Sequence, residues 1–351
     1  MILSRLELNN FRNYPHREFV FSDGVNVIRG ANGTGKTNIL EAIHMLATSK
    51  SHRMAREREI ILHGQAFSRI RAEFSARGRV NELEARLGPD RRKQFSKNHV
   101  PVRKTSDLIG FLSVVMFSPD DLQIIKGSPQ ARRKTIDLSL CQMSKRYFQL
   151  LSNCNRVLVQ KNKLLKSDAA ADALEVWDMQ LARFGTEISR LRAEYIQILS
   201  EEARGRFSEL MGLKLGLTYT CGAGEGVADE DAYYDEIVRN ADKERKYRQS
   251  LVGPHRDDFH ITISERSARA YASQGQQRSA VIALKMGQVE ILRSRLEEPP
   301  LLLLDDVMSE LDSARQKYIL SSANDGQVII TTANKAPAIP QAGCNEIDVE
   351  S

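Results

Sequence analysis

Long apolar runs are what this chain of 351 residues most plainly lacks. Its two longest, Val114 to Phe117 and Pro299 to Leu304 with their neighbours, fall far below the roughly 18 residues that a membrane-spanning helix needs. No membrane partner is therefore expected. The opening residues Met1 to Glu7 show no basic region followed by an apolar stretch and a small-residue cleavage site, so a cytoplasmic protein is expected. Cysteine is sparse. Cys141, Cys154, Cys221 and Cys344 form no C-x-x-C pair, which fits reduced thiols better than a disulfide frame or a zinc site. Tryptophan occurs once, and no segment is biased enough in composition to read as disordered throughout.

What is present is an ordinary globular composition, 41% hydrophobic and 27% charged, at a length above the usual single domain. One large domain with a substantial insertion, or two domains, is expected. The formal net charge is only +6, yet residues 50 to 104 hold 15 Lys and Arg against 6 Asp and Glu. Two readings stand for that segment: a solvated face, or a footprint for a phosphate backbone.

Apolar alternation at Leu6 and Leu8, Phe19 and Phe21, and Val25 and Val27 predicts short strands at the start, and a helix from Lys36 to about Thr48 should follow with Ile39, Leu40, Ile43 and Leu46 on one face. Residues 68 to 103 return to alternation around Arg77-Gly78-Arg79 and predict antiparallel hairpins. The basic segment therefore falls largely on a strand-rich surface. In the middle, Tyr147, Leu151, Cys154, Leu158 and Leu165 form a seam interrupted at Lys161, and Trp177, Leu181, Phe184, Ile188, Leu191, Tyr195 and Ile198 form an unbroken one. An antiparallel helical hairpin turning at Lys166 to Ala173 is expected. After Gly253 the pattern becomes α/β again, with a helix from Gln276 to about Leu296 and strands at Leu301–Leu304 and Val328–Thr331.

The chemistry begins at Gly30-Ala31-Asn32-Gly33-Thr34-Gly35-Lys36-Thr37, which fits G-x-x-x-x-G-K-[ST] between a predicted strand and a predicted helix. In such a loop the glycines let backbone N–H groups face a phosphate, Lys36 neutralises the β- and γ-oxygens, and Thr37 can ligate Mg²⁺. The expected ligands are ATP and Mg²⁺. A second Mg²⁺ anchor belongs at the end of a buried strand, and Leu301 to Leu304 followed by Asp305 and Asp306 supplies it. Asp305 is expected to hold Mg²⁺ through water, and Asp306 to orient or deprotonate the attacking water. Ser273-Gln274-Gly275-Gln276-Gln277-Arg278 opens the next helix and looks like the signature motif of ABC-type ATPases, and Ser309-Glu310-Leu311-Asp312 resembles their D-loop. That resemblance implies a composite site, in which Ser273, Gly275 and Gln276 of one copy bind the γ-phosphate held by the P-loop of another.

Leu8-Asn9-Asn10-Phe11-Arg12-Asn13-Tyr14, the P-loop, Gly253-Pro254-His255-Arg256-Asp257-Asp258, Ser273 to Arg278 and Leu303 to Asp312, in this order, resemble the RecF family of bacterial DNA repair proteins over nearly the whole chain. The resemblance implies an α/β fold: an ABC-type P-loop ATPase head with an antiparallel β subdomain and an inserted helical arm, divided at 1–118, 119–250 and 251–351. It also implies that Arg12 reaches toward nucleotide phosphates. The implied function is an ATP-dependent homodimer that binds double-stranded DNA and single/double-strand junctions, and helps load the recombinase RecA with RecR and RecO. Candidate DNA contacts from the basic segment are Arg53, Arg56, Arg58, Arg91, Arg92 and Lys93.

Two departures from the wider superfamily are visible. The strand ending at Thr332 lacks the histidine that transporter ATPases place there, and no glutamine near Ser118-Pro119-Asp120-Asp121 serves as a Q-loop, so a slow ATPase used as a switch is expected. The rivals are the nucleotide-binding subunit of an ABC transporter and a DNA-binding scaffold in which ATP is only structural.

Overall fold

The computed structural model describes residues 1–52, 57–88, 93–224, 229–322, 326–333 and 344–349, with the backbone alone at 57, 58 and 322. The chain divides into two compact units, Met1–Asp121 with Lys285–Ser351, and Leu122–Leu284.

The first unit holds two sheets. One is antiparallel, with strand order Tyr14–Val20, Ile2–Phe11, Ser68–Ala76, Arg79–Leu87, Gln94–Lys97 and Val100–Val102. Alternation builds it. Along Ile2–Phe11 the residues Leu3, Leu6, Leu8 and Phe11 are fully buried, and an irregularity in pairing between Leu3 and Arg5 lets Leu3 and Leu6, three apart, share the inner face. The other sheet is parallel throughout, in the order Asn345–Asp348, Val25–Arg29, Val328–Thr332, Leu301–Asp305 and Val114–Phe117. Its two inner strands beside the aspartates, Val328–Thr332 and Leu301–Asp305, are buried at every residue, as continuous apolar runs in a sheet covered on both faces require.

The helix Lys36–Thr48 lies against strands of both sheets. Ile39, Leu40, Ile43 and Leu46 are fully buried, each contributing about 1.5–3 kcal/mol of apolar burial. It ends where Ser49 turns into the left-handed region at φ 61° and returns its N–H to Met45 O.

Three helices dominate the second unit: Pro129–Met143, Lys145–Lys166 and Ala171–Met211. Ser144 caps the second by accepting from Tyr147 N at 3.1 Å, and Gly212 at φ 65° closes the third. The break in the apolar seam at Lys161 has a cause. Its ammonium is completely buried between Asp178 at 2.7 Å and Glu244 at 2.6 Å, so a charge sits on the packing face because two carboxylates from other helices meet it there.

The sequence division at residue 250 differs from the structure, where the second unit runs on to Leu284. The reason is pairing. Strand Asp258–Ile263 is antiparallel to Leu215–Thr220, so the chain after Gly253 completes a three-stranded sheet of the helical unit. The Gly253 to Asp258 segment is the anchor. Asp257, fully buried, accepts from Arg192 Nη1 at 2.7 Å, Gly222 N at 2.7 Å and the Tyr219 hydroxyl. Arg192 in turn grips Asp137 through Nε and Nη2 and donates to Pro254 O at 2.6 Å. Asp258 takes the Nε and Nη2 of Arg132 at 2.6 and 2.8 Å. This segment of the resemblance is thus the structural knot of the helical unit.

Candidate functional site

The P-loop leaves the end of strand Val25–Arg29 and enters the helix at Lys36. Gly33 and Gly35 have φ of 89° and 106°, values that turn successive N–H groups inward and that side chains resist. Gly35 is also sterically fixed, since a Cβ there would meet Asn13 Nδ2 at 2.5 Å, Asn13 Oδ1 at 2.6 Å and the Tyr14 hydroxyl at 2.8 Å. Ala31, Asn32 and Gly33 are exposed, while Lys36 is buried with its ammonium on Gly30 O at 2.7 Å and Ala31 O at 2.8 Å. The loop carbonyls hold the cation at the cradle that a phosphate takes.

The loop is braced from outside by the turn Phe11 to Tyr14, where sequence reasoning placed only Arg12. Asn13 Nδ2 donates to Thr34 O at 2.9 Å and its Oδ1 accepts from Asn38 Nδ2 at 2.8 Å, tying the loop to the first turn of its helix. Burial pushes the Tyr14 hydroxyl up to about 12, so it stands neutral against Gly35. Arg12, in the left-handed region at φ 54°, is gripped by Glu41 through Nε at 2.8 Å and Nη2 at 2.7 Å, and donates from Nη1 to Glu59 O at 2.7 Å. Glu41 is fully buried; burial raises its carboxyl, but the hydrogen bonds from Arg12 and Ser51 outweigh that and hold it low. Three of the five guanidinium N–H groups are thereby used, leaving one on each terminal nitrogen. Glu41 is one of the residues that sequence reading missed. Its place five residues beyond Lys36 on the same helix was the available signal.

Asp305 ends the buried strand and meets the P-loop directly, its Oδ1 accepting from Thr37 Oγ1 at 2.8 Å. A hydroxyl and a carboxylate this close are hard oxygen donors, and the hydroxyl keeps lone pairs for a cation, so the pair fits Mg²⁺. Among the described residues no cluster of three His, Cys, Asp or Glu suggests another metal site. Asp306 follows in the left-handed region at φ 53°, half-buried. From the neighbouring strand Thr331 Oγ1 donates to Asp305 Oδ1 at 2.9 Å and accepts from Asp306 N at 3.1 Å. Ser309 Oγ donates to Asp306 O at 2.9 Å, and Asp312 caps the helix Ser313–Ser322 by accepting from Arg315 N at 2.9 Å.

Ser273 heads the 23-residue helix Gln274–Leu296 as half of a reciprocal cap. Ser273 N donates to Gln276 Oε1 at 2.9 Å and Gln276 N donates to Ser273 Oγ at 3.3 Å. Ser273 is exposed, and a hydroxyl that accepts through a lone pair keeps its own O–H to donate outward. Farther along, Lys285 is buried and donates to Met116 O at 2.7 Å and pairs with Asp121 at 2.7 Å. The loop searched for a Q-loop glutamine is thus held by a lysine.

The DNA candidates fare unevenly. Arg53, Arg56, Arg91 and Arg92 lie outside the described residues, as does the side chain of Arg58, whose backbone is in the short helix Glu57–Ile60. Lys93 donates to Ser49 O at 3.2 Å, beyond the end of the P-loop helix. The sheet itself is less basic than its composition suggests. Arg69 pairs across strands with Glu7 at 2.5 Å and Arg71 with Glu82 at 2.6 Å, and Arg86 pairs along its own strand with Glu84 at 2.6 Å, so carboxylates of the sheet neutralise part of the excess.

A five-stranded parallel sheet that carries a P-loop on one strand and paired aspartates on the next strand but one is the core of an ABC-type ATPase head, and this chain falls in that class. The sequence model described as "RecF/RecN/SMC N terminal domain" matches residues 2–342. A "DNA replication and repair protein RecF" from Symbiobacterium thermophilum is 43% identical over 339 residues, 93% of this chain and 89% of that protein. One from Agathobacter rectalis is 40% identical over 337 residues, 94% and 92% of the two chains. The solved "recombination mediator protein RecF-ATP in RecFOR pathway" superposes with a TM-score of 0.92 at 33% identity, covering 100% of this chain and 96% of that one. The chain belongs to the RecF family. No helix among its described residues is long and apolar enough to cross a membrane.

Proposed function

We propose that this protein is a cytoplasmic ATP-dependent clasp on DNA, acting in recombinational repair and replication: two copies close over two ATP molecules at gapped or damaged DNA, and slow hydrolysis reopens them. Lys36 and the loop N–H groups bind the β- and γ-phosphates, Gly30 to Thr37 wrap them, and Arg12, held by Glu41, keeps two N–H groups for a phosphate. Thr37 and Asp305 would hold Mg²⁺, which neutralises charge on the transferring phosphoryl group. Asp306 orients the attacking water. Asp is one methylene shorter than the Glu usual in related enzymes, in keeping with a slow turnover.

The observation that carries the clasp is the cap at Ser273. Its hydroxyl is fixed by Gln276 N–H, exposed, and retains a donor for an anion that its own capping pattern does not supply. A γ-phosphate presented by a second copy fits this chemistry, with Gly275 and Gln276 beside it. Binding energy of ATP across the interface then sets the dimer population. Loading of a recombinase with RecR and RecO follows from the family.

The test is the mass in solution by light scattering with ATP, with ADP and without nucleotide. Ser273→Arg is expected to bind a fluorescent ATP analogue normally yet stay monomeric; a Ser273→Arg protein that dimerises with ATP as well as the parent sinks the clasp. Filter binding to duplex DNA should lose affinity steeply as salt rises, and steady phosphate release should vanish in Asp306→Asn.

A further inference from the structure

Resting on the roles given above to Asp305 and Asp306, we infer that Thr331 is the positioning residue that couples them, setting the cation-side carboxylate and the water-side carboxylate with a single hydroxyl. Strands Leu301–Asp305 and Val328–Thr332 run parallel with Asp305 opposite Thr331. That register places the Thr331 side chain at the point where the Asp305 strand ends.

One hydroxyl has one proton and two lone pairs. The proton goes to Asp305 Oδ1 at 2.9 Å, since the other acceptor in reach, Leu304 O, lies at 3.5 Å. A lone pair takes the Asp306 N–H at 3.1 Å, an N–H that is shared with Thr331 O at 3.2 Å. With Thr37 donating to the same Oδ1 at 2.8 Å, that oxygen receives two O–H donors, which fix the carboxylate's orientation. The second bond acts on the backbone. Asp306 sits at φ 53°, a conformation that L-residues disfavour, and the Thr331 hydroxyl pins its N–H in that state. The left-handed turn throws the Asp306 side chain off the line of the strand. Thr331 is 1% exposed, so water cannot replace its hydroxyl without opening the strand end.

The sequence hides this residue. Thr331 is β-branched in a strand of Val, Ile and Thr, and there it reads as ordinary strand propensity.

Thr331→Val keeps the shape and removes the hydroxyl; Thr331→Ser keeps the hydroxyl. Removing an outer partner of a metal-binding carboxylate costs about tenfold or more in metal affinity or turnover. In Thr331→Val, the Mg²⁺ concentration that half-saturates the Mg²⁺-dependent binding of a fluorescent ATP analogue should rise by about tenfold. Its kcat for phosphate release should fall by a similar factor, with KM for ATP at saturating Mg²⁺ within about twofold. Thr331→Ser should return both quantities to within about threefold of the parent. A Thr331→Val protein with parental Mg²⁺ dependence and kcat overturns the inference. So does a Thr331→Ser protein as impaired as Thr331→Val, because the hydroxyl is then not the active element. If Thr331→Val does not fold, Thr331→Ser and Thr331→Ala are compared by the same Mg²⁺ titration, and equal half-saturation overturns it. A parent protein that releases no phosphate counts against the ATPase reading, while the Mg²⁺ titration still decides the role of Thr331.

Discussion

A methyl group is enough to probe the phosphate cradle. Gly35 has φ 106° and faces Asn13 and Tyr14 within 3 Å of where a Cβ would sit, so Gly35→Ala strains the backbone and displaces the Asn13 amide that ties Thr34 to Asn38. The expected outcome is loss of binding to an immobilised or fluorescent ATP analogue by at least about tenfold, with the far-ultraviolet circular dichroism unchanged. Residues of this kind divide by how local their chemistry is. The P-loop, Asp305 and Ser273 are legible in sequence because each motif carries its mechanism within a few residues. Glu41, Asn13 and Thr331 are not, since their partners lie 29, 21 and 26 residues away and only packing brings them together. The Gly253 to Asp258 run marked the family correctly, yet its buried Asp257 and paired Asp258 reveal a structural task that no spacing rule exposes.

At the scale of elements, the helical unit depends on charges inside its seams. Lys161→Ala would leave Asp178 and Glu244 facing each other without the ammonium between them, a loss of about 3–5 kcal/mol that differential scanning calorimetry should register as a large fall in Tm. The turn at Pro254–Arg256 adds a pH dependence. Burial lowers His255 from 6.5 to about 4 while one ring nitrogen meets Ser250 O at 3.0 Å. The unfolded chain therefore takes up a proton near pH 6.5 that the folded chain refuses until about pH 4. Stability is whole above pH 6.5 and falls between those values, by up to about 3 kcal/mol. Urea unfolding from pH 7 to pH 4 should show that slope, and His255→Gln should flatten it relative to the parent; equal slopes would remove His255 as the cause. Periodicity predicted these helices and their turn well. The division at 250 falls before the unit's end at Leu284, because a strand pairing across 40 residues, Tyr219 to Phe259, leaves no local mark.

At the scale of the whole molecule, the proposed clasp puts a half-site on each copy and so predicts complementation. Lys36→Arg spoils the P-loop and Ser273→Arg spoils the signature, so either variant alone should fail to form an ATP-dependent dimer with two sound sites. A mixture pairs the intact P-loop of one with the intact serine of the other. One sound site per pair should recover part of the dimer signal in light scattering, and a mixture no better than its components would argue against shared sites. Sequence could propose this arrangement from order and resemblance, whereas a DNA face stayed indistinct because the basic segment is partly cancelled by Glu7 and Glu82 across the strands and by Glu84 along its own.

The parallel sheet also imposes an order of events during synthesis. Among the described residues Val25–Arg29 has only Val328–Thr332 and Asn345–Asp348 for neighbours, so the strand that bears the P-loop waits, unpaired, while some three hundred residues leave the ribosome. The antiparallel hairpins up to Val102 and the helical unit up to Leu284 need no such late partner. A nascent chain stalled before residue 328 should therefore carry a folded helical unit and hairpins but no ATP-binding capacity, and nucleotide binding would arrive once Val328–Thr332 has emerged.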